Sequence, residues 1–138
     1  MTLYVAARYT EKGRARAIRA ALVNAGYAVT SRWLHAPEGT PLATAAREDL
    51  EDIRQSHALG FVQAKPDPRG MRGAYVEVGY ALALGLPILV LDESDPDETS
   101  PNWTVFWSLP RVTVFPSLDR LLCALPALAW RQEEGPIA

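Results

Sequence analysis

The chain has 138 residues, of which 49% are hydrophobic and 22% are charged, as in a globular domain with a sizeable core. Its formal net charge of −2 at pH 7 gives no electrostatic basis for binding nucleic acid through a basic face. Its one cysteine, Cys123, excludes an intrachain disulfide and a cysteine-based metal site, and is interpreted as a small buried hydrophobe.

The first part of the chain predicts two strand–helix units. Residues 3–7 are a short apolar run typical of a buried strand. Residues 11–26 carry apolar side chains at helical spacing and end in a glycine, which is a common helix stop. The β-branched and aromatic run 27–34 predicts a second strand, and the polar-faced segment 45–56 predicts the second helix.

The second part repeats the alternation. Residues 57–64 predict strand three, and a loop with two glycines leads into a third helix over 74–85. Residues 86–92 are continuously apolar, as expected for a strand covered on both faces. The segment 102–110 fits either a short helix or a turn.

The last elements are a strand and a helix. Residues 111–115 predict strand five, and Ser117 is a candidate cap for a helix over 118–128. Pro126 is expected to interrupt that helix, and the tail 131–138 is expected to be frayed.

This alternation predicts one domain over residues 1–138, with an α/β fold. We expect a doubly wound, flavodoxin-like or Rossmann-like parallel sheet of five strands with helices on both faces. The expected strand order 2-1-3-4-5 places the ligand crevice between strands one and three, at their carboxyl ends. No apolar run approaches a membrane span and no signal peptide is recognised, so a cytoplasmic protein with no membrane partner is expected.

A single acid, Glu77, lies about one turn into the third predicted helix, among residues expected to be buried. A carboxylate there is expected to be stabilised by the helix dipole and to stay ionised at neutral pH. Such a group suits attack on an electron-poor carbon, for example the anomeric carbon of a sugar. Alternatively it only complements the dipole, and the spacing does not separate these two interpretations.

The loop before this helix, "RGMRG", carries two glycines and two arginines. Gly70 and Gly73 allow the backbone to approach a ligand closely, and a glycine-rich loop before a helix can cradle a phosphate or hydroxyl. Arg69 and Arg72 add positive charge for a phosphate, or are solvated loop side chains.

The segment "GAYVEVGYALALGLPILVL" resembles the signature of the nucleoside 2-deoxyribosyltransferase superfamily, which includes the 2'-deoxynucleoside 5'-phosphate N-hydrolases. The segments "AREDLEDIRQSHALGFV", "LYVAARY" and "NWTVFWSLPRVTVF" resemble compact phage- and bacteria-type members in order and spacing. The resemblance covers about residues 3 to 121. It implies an enzyme that acts on a nucleoside or nucleotide without a cofactor.

The resemblance also implies roles for individual residues. Glu77 corresponds to the family's nucleophile, which displaces the base from C1' and forms a glycosyl-enzyme ester. Tyr9 is the candidate for the tyrosine that touches the sugar or the nucleophile, with Tyr4 ranked lower because it lies inside a strand. Arg8 is a candidate contact to phosphate or base. The loop would offer backbone N–H groups at Gly73 and Ala74.

Two further residues carry implications from the family. Asn102 corresponds to a segment that often completes a neighbouring subunit's site, so a homo-oligomer, at least a dimer, is expected. Asp49, in the second predicted helix, matches a recurring acid of the family, although a solvated or capping carboxylate is the alternative. His57 stands where the family usually carries an aspartate; it could still exchange hydrogen bonds and titrates near neutrality, or it marks a changed activity.

Trp33, at the end of the second predicted strand, has two interpretations. A flat aromatic ring at the rim of a crevice can stack on a nucleobase, or it can cover the edge of the core. The two histidines, His35 and His57, lack any supporting ligand pattern, so no metal site is predicted.

The sequence therefore predicts cleavage or transfer at the N-glycosidic bond of a (deoxy)nucleoside or its 5'-monophosphate, through Glu77. One alternative is a non-catalytic nucleotide-binding or sensor module with the same fold. The other is a phosphoribohydrolase-type nucleotide hydrolase. The segment "RGMRGAYVE" of this chain matches the glycine-rich motif of that class only in part.

Overall fold

The structure, a computed structural model, describes residues 1–63 and 72–133, the side chains of 131–133 excepted. Five strands form one sheet: β1 (Thr2–Ala6), β2 (Ala28–Val29), β3 (Ala58–Val62), β4 (Ile88–Leu91) and β5 (Val112–Phe115). The helices are α1 (Lys12–Asn24), α2 (Leu42–Arg54), α3 (Arg72–Ala83) and α4 (Leu118–Glu133). Three short 3-10 segments are η1 (Tyr9–Glu11), η2 (Arg32–His35) and η3 (Val105–Ser108). Within the described ranges, no helix is long and apolar enough to cross a bilayer.

The predicted α/β architecture and strand order are confirmed. All four pairings are parallel and the order is β2-β1-β3-β4-β5. Alternate side chains of β1 face opposite sides of the sheet, as the two-residue repeat of a strand requires. Leu3 and Val5 pack in the cluster with α1 and α4, whereas Tyr4 and Ala6 pack in the cluster with α2 and α3. The sheet is therefore covered on both faces.

The second strand is much shorter than the predicted 27–34. β2 pairs with β1 only at Thr2–Leu3, and the chain then turns into η2. Beyond this point, the backbone groups of Val5 on this side of β1 pair with side chains instead of with a neighbouring strand. Ser31 Oγ accepts from the Val5 amide at 2.7 Å, and the Trp33 indole N–H donates to the Val5 carbonyl at 2.9 Å. The β-branched and aromatic composition predicted a longer strand because it does not distinguish backbone pairing from side-chain pairing.

The carboxyl-terminal helix also differs from the prediction. α4 continues through Pro126 to Glu133, because Leu121 and Leu125 anchor it in the core while Pro126 lies on its exposed side. Ser117 does cap the first turn, accepting from the Arg120 amide at 3.1 Å. The prediction of a buried Cys123 is wrong, because the residue lies on the exposed face of α4. The rest of the predicted frayed tail, 134–138, lies outside the described residues.

Candidate active site

A cavity of about 710 Å³ lies at the predicted crevice, where the chain leaves β1 and where α3 begins after β3. This volume is in the range of small-molecule sites. The described residues that line it are Ala7, Arg8, Tyr9, Lys12, Trp33, Ala36, Pro37, Glu38, Gly39, Thr40, Leu42, Ala45, Asp49, Arg72, Gly73, Ala74 and Glu77.

Glu77 projects from α3 into this cavity and is paired with a tyrosine from β1. The fully buried Tyr4 donates its phenol hydrogen to Glu77 Oε2. Burial, followed by the nearby charge of Glu77, raises the pKa of the Tyr4 hydroxyl, so the phenol remains a hydrogen-bond donor at neutral pH. The contact fixes one carboxylate oxygen and leaves the other available to a ligand.

The prediction that Glu77 is ionised by the helix dipole is wrong. α3 begins at Arg72, so Glu77 is its sixth residue and lies beyond the first turn, where the dipole acts. Burial raises the pKa of the Glu77 carboxyl to about 8; the Tyr4 hydrogen bond opposes this rise and the charge of Asp49 adds to it. A carboxyl group whose pKa lies near the working pH is typical of a functional site.

A second acid, Asp49, lines the same cavity from α2. Burial is the main reason that its pKa is raised to about 6, and Asp52 and Glu48 raise it further, whereas Arg32 lowers it. Asp49 and Glu77 thus line one cavity with different pKa values. Such pairs commonly have different chemical roles.

The tyrosine that contacts the Glu77 carboxyl is Tyr4 and not Tyr9. Tyr9 is 70% exposed on η1 at the cavity rim, where the Lys12 ammonium lies 5.2 Å from the centre of its ring. It lines the cavity, but the contact to the carboxylate comes from inside the strand. The sequence interpretation ranked these two residues in the opposite order.

Positive charge reaches the cavity from two sides. Arg8 follows β1, Lys12 begins α1 and Arg72 begins α3, and all three line the cavity. Gly73 and Ala74 line it beside Arg72, as predicted for the start of this helix. Gly70 and Arg69 lie outside the described residues.

Trp33 fulfils parts of both interpretations. It lines the cavity and also packs against both apolar clusters of the core. Its indole nitrogen is engaged with the backbone of β1, so its orientation is fixed. The ring is a preformed wall of the cavity.

Two predicted site residues are not brought to this cavity. His57 lies at the amino end of β3, where its Nδ1 accepts from the Thr2 amide at 3.0 Å. The cavity is at the opposite, carboxyl end of the strands, so His57 does not meet Glu77. The candidate catalytic role of His57 is corrected on this ground. Asn102 precedes η3 and is not among the described residues that line the cavity.

Several residues of the site were missed or ranked too low from the sequence. Tyr4 was discounted as a strand residue, although the alternation along β1 places it on the same face as Ala6, towards α3. The 36–40 loop carries no charge pattern or motif that predicts a site. Within the described ranges, no group of three histidine, cysteine or acidic side chains is arranged to hold a metal ion.

The solved structures that are similar to this chain include the following two. One is a CMP N-glycosidase, BcmB, of Clostridium botulinum, with a TM-score of 0.61 and 18% identity over 92% of this chain and 99% of that one. The other is a 2-deoxyribosyltransferase of the psychrotolerant bacterium Bacillus psychrosaccharolyticus, with a TM-score of 0.64 and 16% identity over 88% of this chain and 90% of that one. The fold implied by the family resemblance is therefore confirmed. The chain matches no protein-family model and no curated protein.

Proposed function

We propose that this chain is an enzyme that cleaves or transfers the N-glycosidic bond of a nucleoside or its 5'-monophosphate. One observation carries the proposal: a desolvated carboxyl, Glu77, is held by the Tyr4 phenol at the wall of a ligand-sized cavity. The fold supports it, because structures named as a CMP N-glycosidase and a 2-deoxyribosyltransferase share it.

In the proposed reaction the ionised Glu77 attacks C1' of the sugar. A carboxylate-oxygen–carbon bond forms while the carbon–nitrogen bond breaks, and the base leaves with the electron pair and takes a proton from solvent. Water then attacks C1', the carbon–oxygen bond to Glu77 breaks and releases its carboxylate, and the water loses a proton to solvent to give the free sugar. Alternatively a nitrogen of a second base attacks C1', breaks the same bond and loses its proton to solvent, which gives a new nucleoside. Tyr4 holds Glu77 in position, and Asp49 accepts a hydrogen bond from a sugar hydroxyl.

The pKa of Glu77 is compatible with this role. With a pKa of about 8, a fraction of the carboxyl groups is ionised near neutral pH and can attack. A poorly solvated carboxylate is a stronger nucleophile than a hydrated one, and the Tyr4 hydrogen bond favours the ionised form.

The cavity lining suits a nucleotide. The cations Arg8, Lys12 and Arg72 are chemically suited to a 5'-phosphate, and the rings of Trp33 and Tyr9 offer flat surfaces to a base. We therefore expect a 5'-monophosphate to be a better substrate than the corresponding nucleoside.

One observation favours the alternative of a non-catalytic nucleotide-binding module. Because burial raises the pKa of Glu77, most of the carboxyl groups are protonated at neutral pH in the free protein. A neutral carboxyl can bind a nucleotide by hydrogen bonding without attacking it.

Base release measured by chromatography separates these functions. Ribo- and deoxynucleosides and their 5'-monophosphates are incubated with the protein, with and without an acceptor base. Release without acceptor identifies a hydrolase, and release only with acceptor identifies a transferase. Nucleotide binding by calorimetry without any release would contradict the enzymatic proposal and support the binding module.

Replacing Tyr4 with phenylalanine is expected to lower kcat about 10- to 100-fold, because a hydrogen bond to a charged group is lost. Tyr9→Phe is the matched control. It removes a hydroxyl from an exposed ring at the rim, so kcat should change by less than about twofold. Equal losses in both variants, measured by initial rates, would show that Tyr4 has no special role.

The homo-oligomer and the role of Asn102 remain proposals. Large apolar side chains are exposed on α3 and η3, including Val76, Val105 and Phe106, and such surfaces commonly mark protein contacts. Light scattering coupled to size-exclusion chromatography measures the oligomeric state. A monomer with full activity would exclude an Asn102 supplied by a partner.

A further inference from the structure

Behind the cavity, a buried carboxylate on α2 is paired with an arginine on η2. Asp52 is only 4% exposed. Its Oδ1 accepts from Arg32 Nε and its Oδ2 from the Arg32 amide, both at 2.9 Å. The side chain and backbone of one residue thus both bind one carboxylate, which fixes the orientation of Arg32.

This pair connects the two elements that form one wall of the cavity. η2 carries Trp33, and α2 carries Asp49, three residues before Asp52 and therefore on the same side of the helix. Thr30 reinforces the connection by donating its hydroxyl to the Asp52 carbonyl at 3.0 Å. Neither Arg32 nor Asp52 is among the residues that line the cavity.

We propose that Arg32 and Asp52 are a positioning pair for the site. Arg32 holds η2 with Trp33 against α2, and its positive charge offsets the negative charge of Asp52, which lies one turn from Asp49. The proposal rests on the proposed function for its effect on catalysis. Its effect on Asp49 is independent of any reaction.

The charges around Asp49 support this assignment. Asp52 and Glu48 both raise the pKa of Asp49 after the larger effect of burial, whereas Arg32, among the described residues, lowers it. The other elements packed against α2 contribute Tyr4 from β1 and Glu77 from α3, each of which interacts with the Asp49 charge. Among the described residues, the other charged groups that line the cavity are Arg8, Lys12, Glu38 and Arg72.

Two substitutions break the same contact but change the charge in opposite directions. Arg32→Gln leaves the negative charge of the buried Asp52 without its guanidinium partner, so the pKa of Asp49 should rise above its present value of about 6. Asp52→Asn removes the negative charge and keeps the cation, so the pKa of Asp49 should fall. We expect shifts of about 0.5 to 1 pH unit in each direction. A purely structural role would move both variants the same way, since both lose the same contact.

The measurement is a pH titration of the Asp49 carboxyl carbon by NMR, in protein labelled at aspartate, with the signal assigned by its loss in Asp49→Asn. Arg54→Gln is the matched control, because Arg54 is an exposed arginine at the end of the same helix and should leave the titration unchanged. The double variant Arg32→Gln/Asp52→Asn should return the midpoint to within about 0.3 pH unit of the original.

Opposite shifts support the proposal, and shifts in one direction or unchanged midpoints in folded variants overturn it. If Asp52→Asn does not fold, the two Arg32 variants test the proposal instead. Arg32→Gln must shift the midpoint of the Asp49 titration upwards, and Arg32→Lys, which keeps the charge, must not. For catalysis, both Arg32 variants should raise KM for the nucleotide more than they lower kcat, because the Trp33 wall is loosened. Opposite titration shifts without base release in the unmodified protein would reject the proposed function and leave this inference standing.

Discussion

Glu77→Gln is expected to lower base release by about 10³-fold or more, while the variant remains folded. Glutamine has the same size and keeps an oxygen that can accept the Tyr4 hydrogen bond, so packing at α3 is retained. It lacks a nucleophilic carboxylate, so no glycosyl ester can form. Initial rates of base release and mass spectrometry of the trapped protein measure this directly.

The matched control is Glu38→Gln, because Glu38 lines the same cavity but is exposed in a loop. We expect its rate to stay within about threefold, since loss of one exposed charge changes little. A Glu77→Gln variant with the rate of the unmodified enzyme would reject Glu77 as nucleophile. A slow Glu77→Gln variant that has also lost its cooperative unfolding transition would not support the assignment, and calorimetry distinguishes this case.

The second large effect concerns stability as a function of pH. Burial raises the pKa of Glu77 from its usual 4.5 to about 8 in the folded protein. The folded state therefore holds this proton more tightly than the unfolded state does. The associated stability is complete below about pH 4.5 and is lost as the pH rises to about 8.

Glu77→Gln should remove this loss, because glutamine does not titrate. At pH 9 the variant should be more stable than the unmodified protein by on the order of 2 to 4 kcal/mol, and at pH 5 the two should agree within about 1 kcal/mol. Urea unfolding at both pH values gives the two differences. Glu38→Gln should change the free energy of unfolding by the same small amount at pH 5 and at pH 9. An equal effect of Glu77→Gln at pH 5 and pH 9 would show that the carboxyl is not desolvated in the folded state.

The fold was predictable because its signal is repeated along the chain. Each apolar strand and amphipathic helix contributes to the same α/β alternation, and the crevice between strands one and three follows from the strand order. Glu77, Trp33 and Gly73 were found on this basis and Asp49 from the family resemblance, and all four line the cavity.

The remaining site features depend on which way a side chain points. Tyr4 was ranked below Tyr9 because a buried strand tyrosine is usually part of the core, and only packing shows that its hydroxyl meets Glu77. His57 was accepted because it stands where the family usually carries an aspartate, but it lies at the amino end of the sheet. The ionisation of Glu77 was misjudged because burial, which no sequence pattern measures, outweighs the helix dipole.

The short β2 strand has a consequence for how this protein can change. Neighbouring strands of a sheet are joined by backbone hydrogen bonds, which survive substitution of the residues that make them. Here the partners of Val5 are the side chains of Ser31 and Trp33, so single mutations can remove them. The edge of the sheet beside the cavity is therefore more sensitive to point mutations than the rest of the sheet. Loss of either side chain leaves a buried backbone group of Val5 without this partner, so substitutions at Ser31 and Trp33 should lower the stability of this edge and of the cavity wall that Trp33 forms.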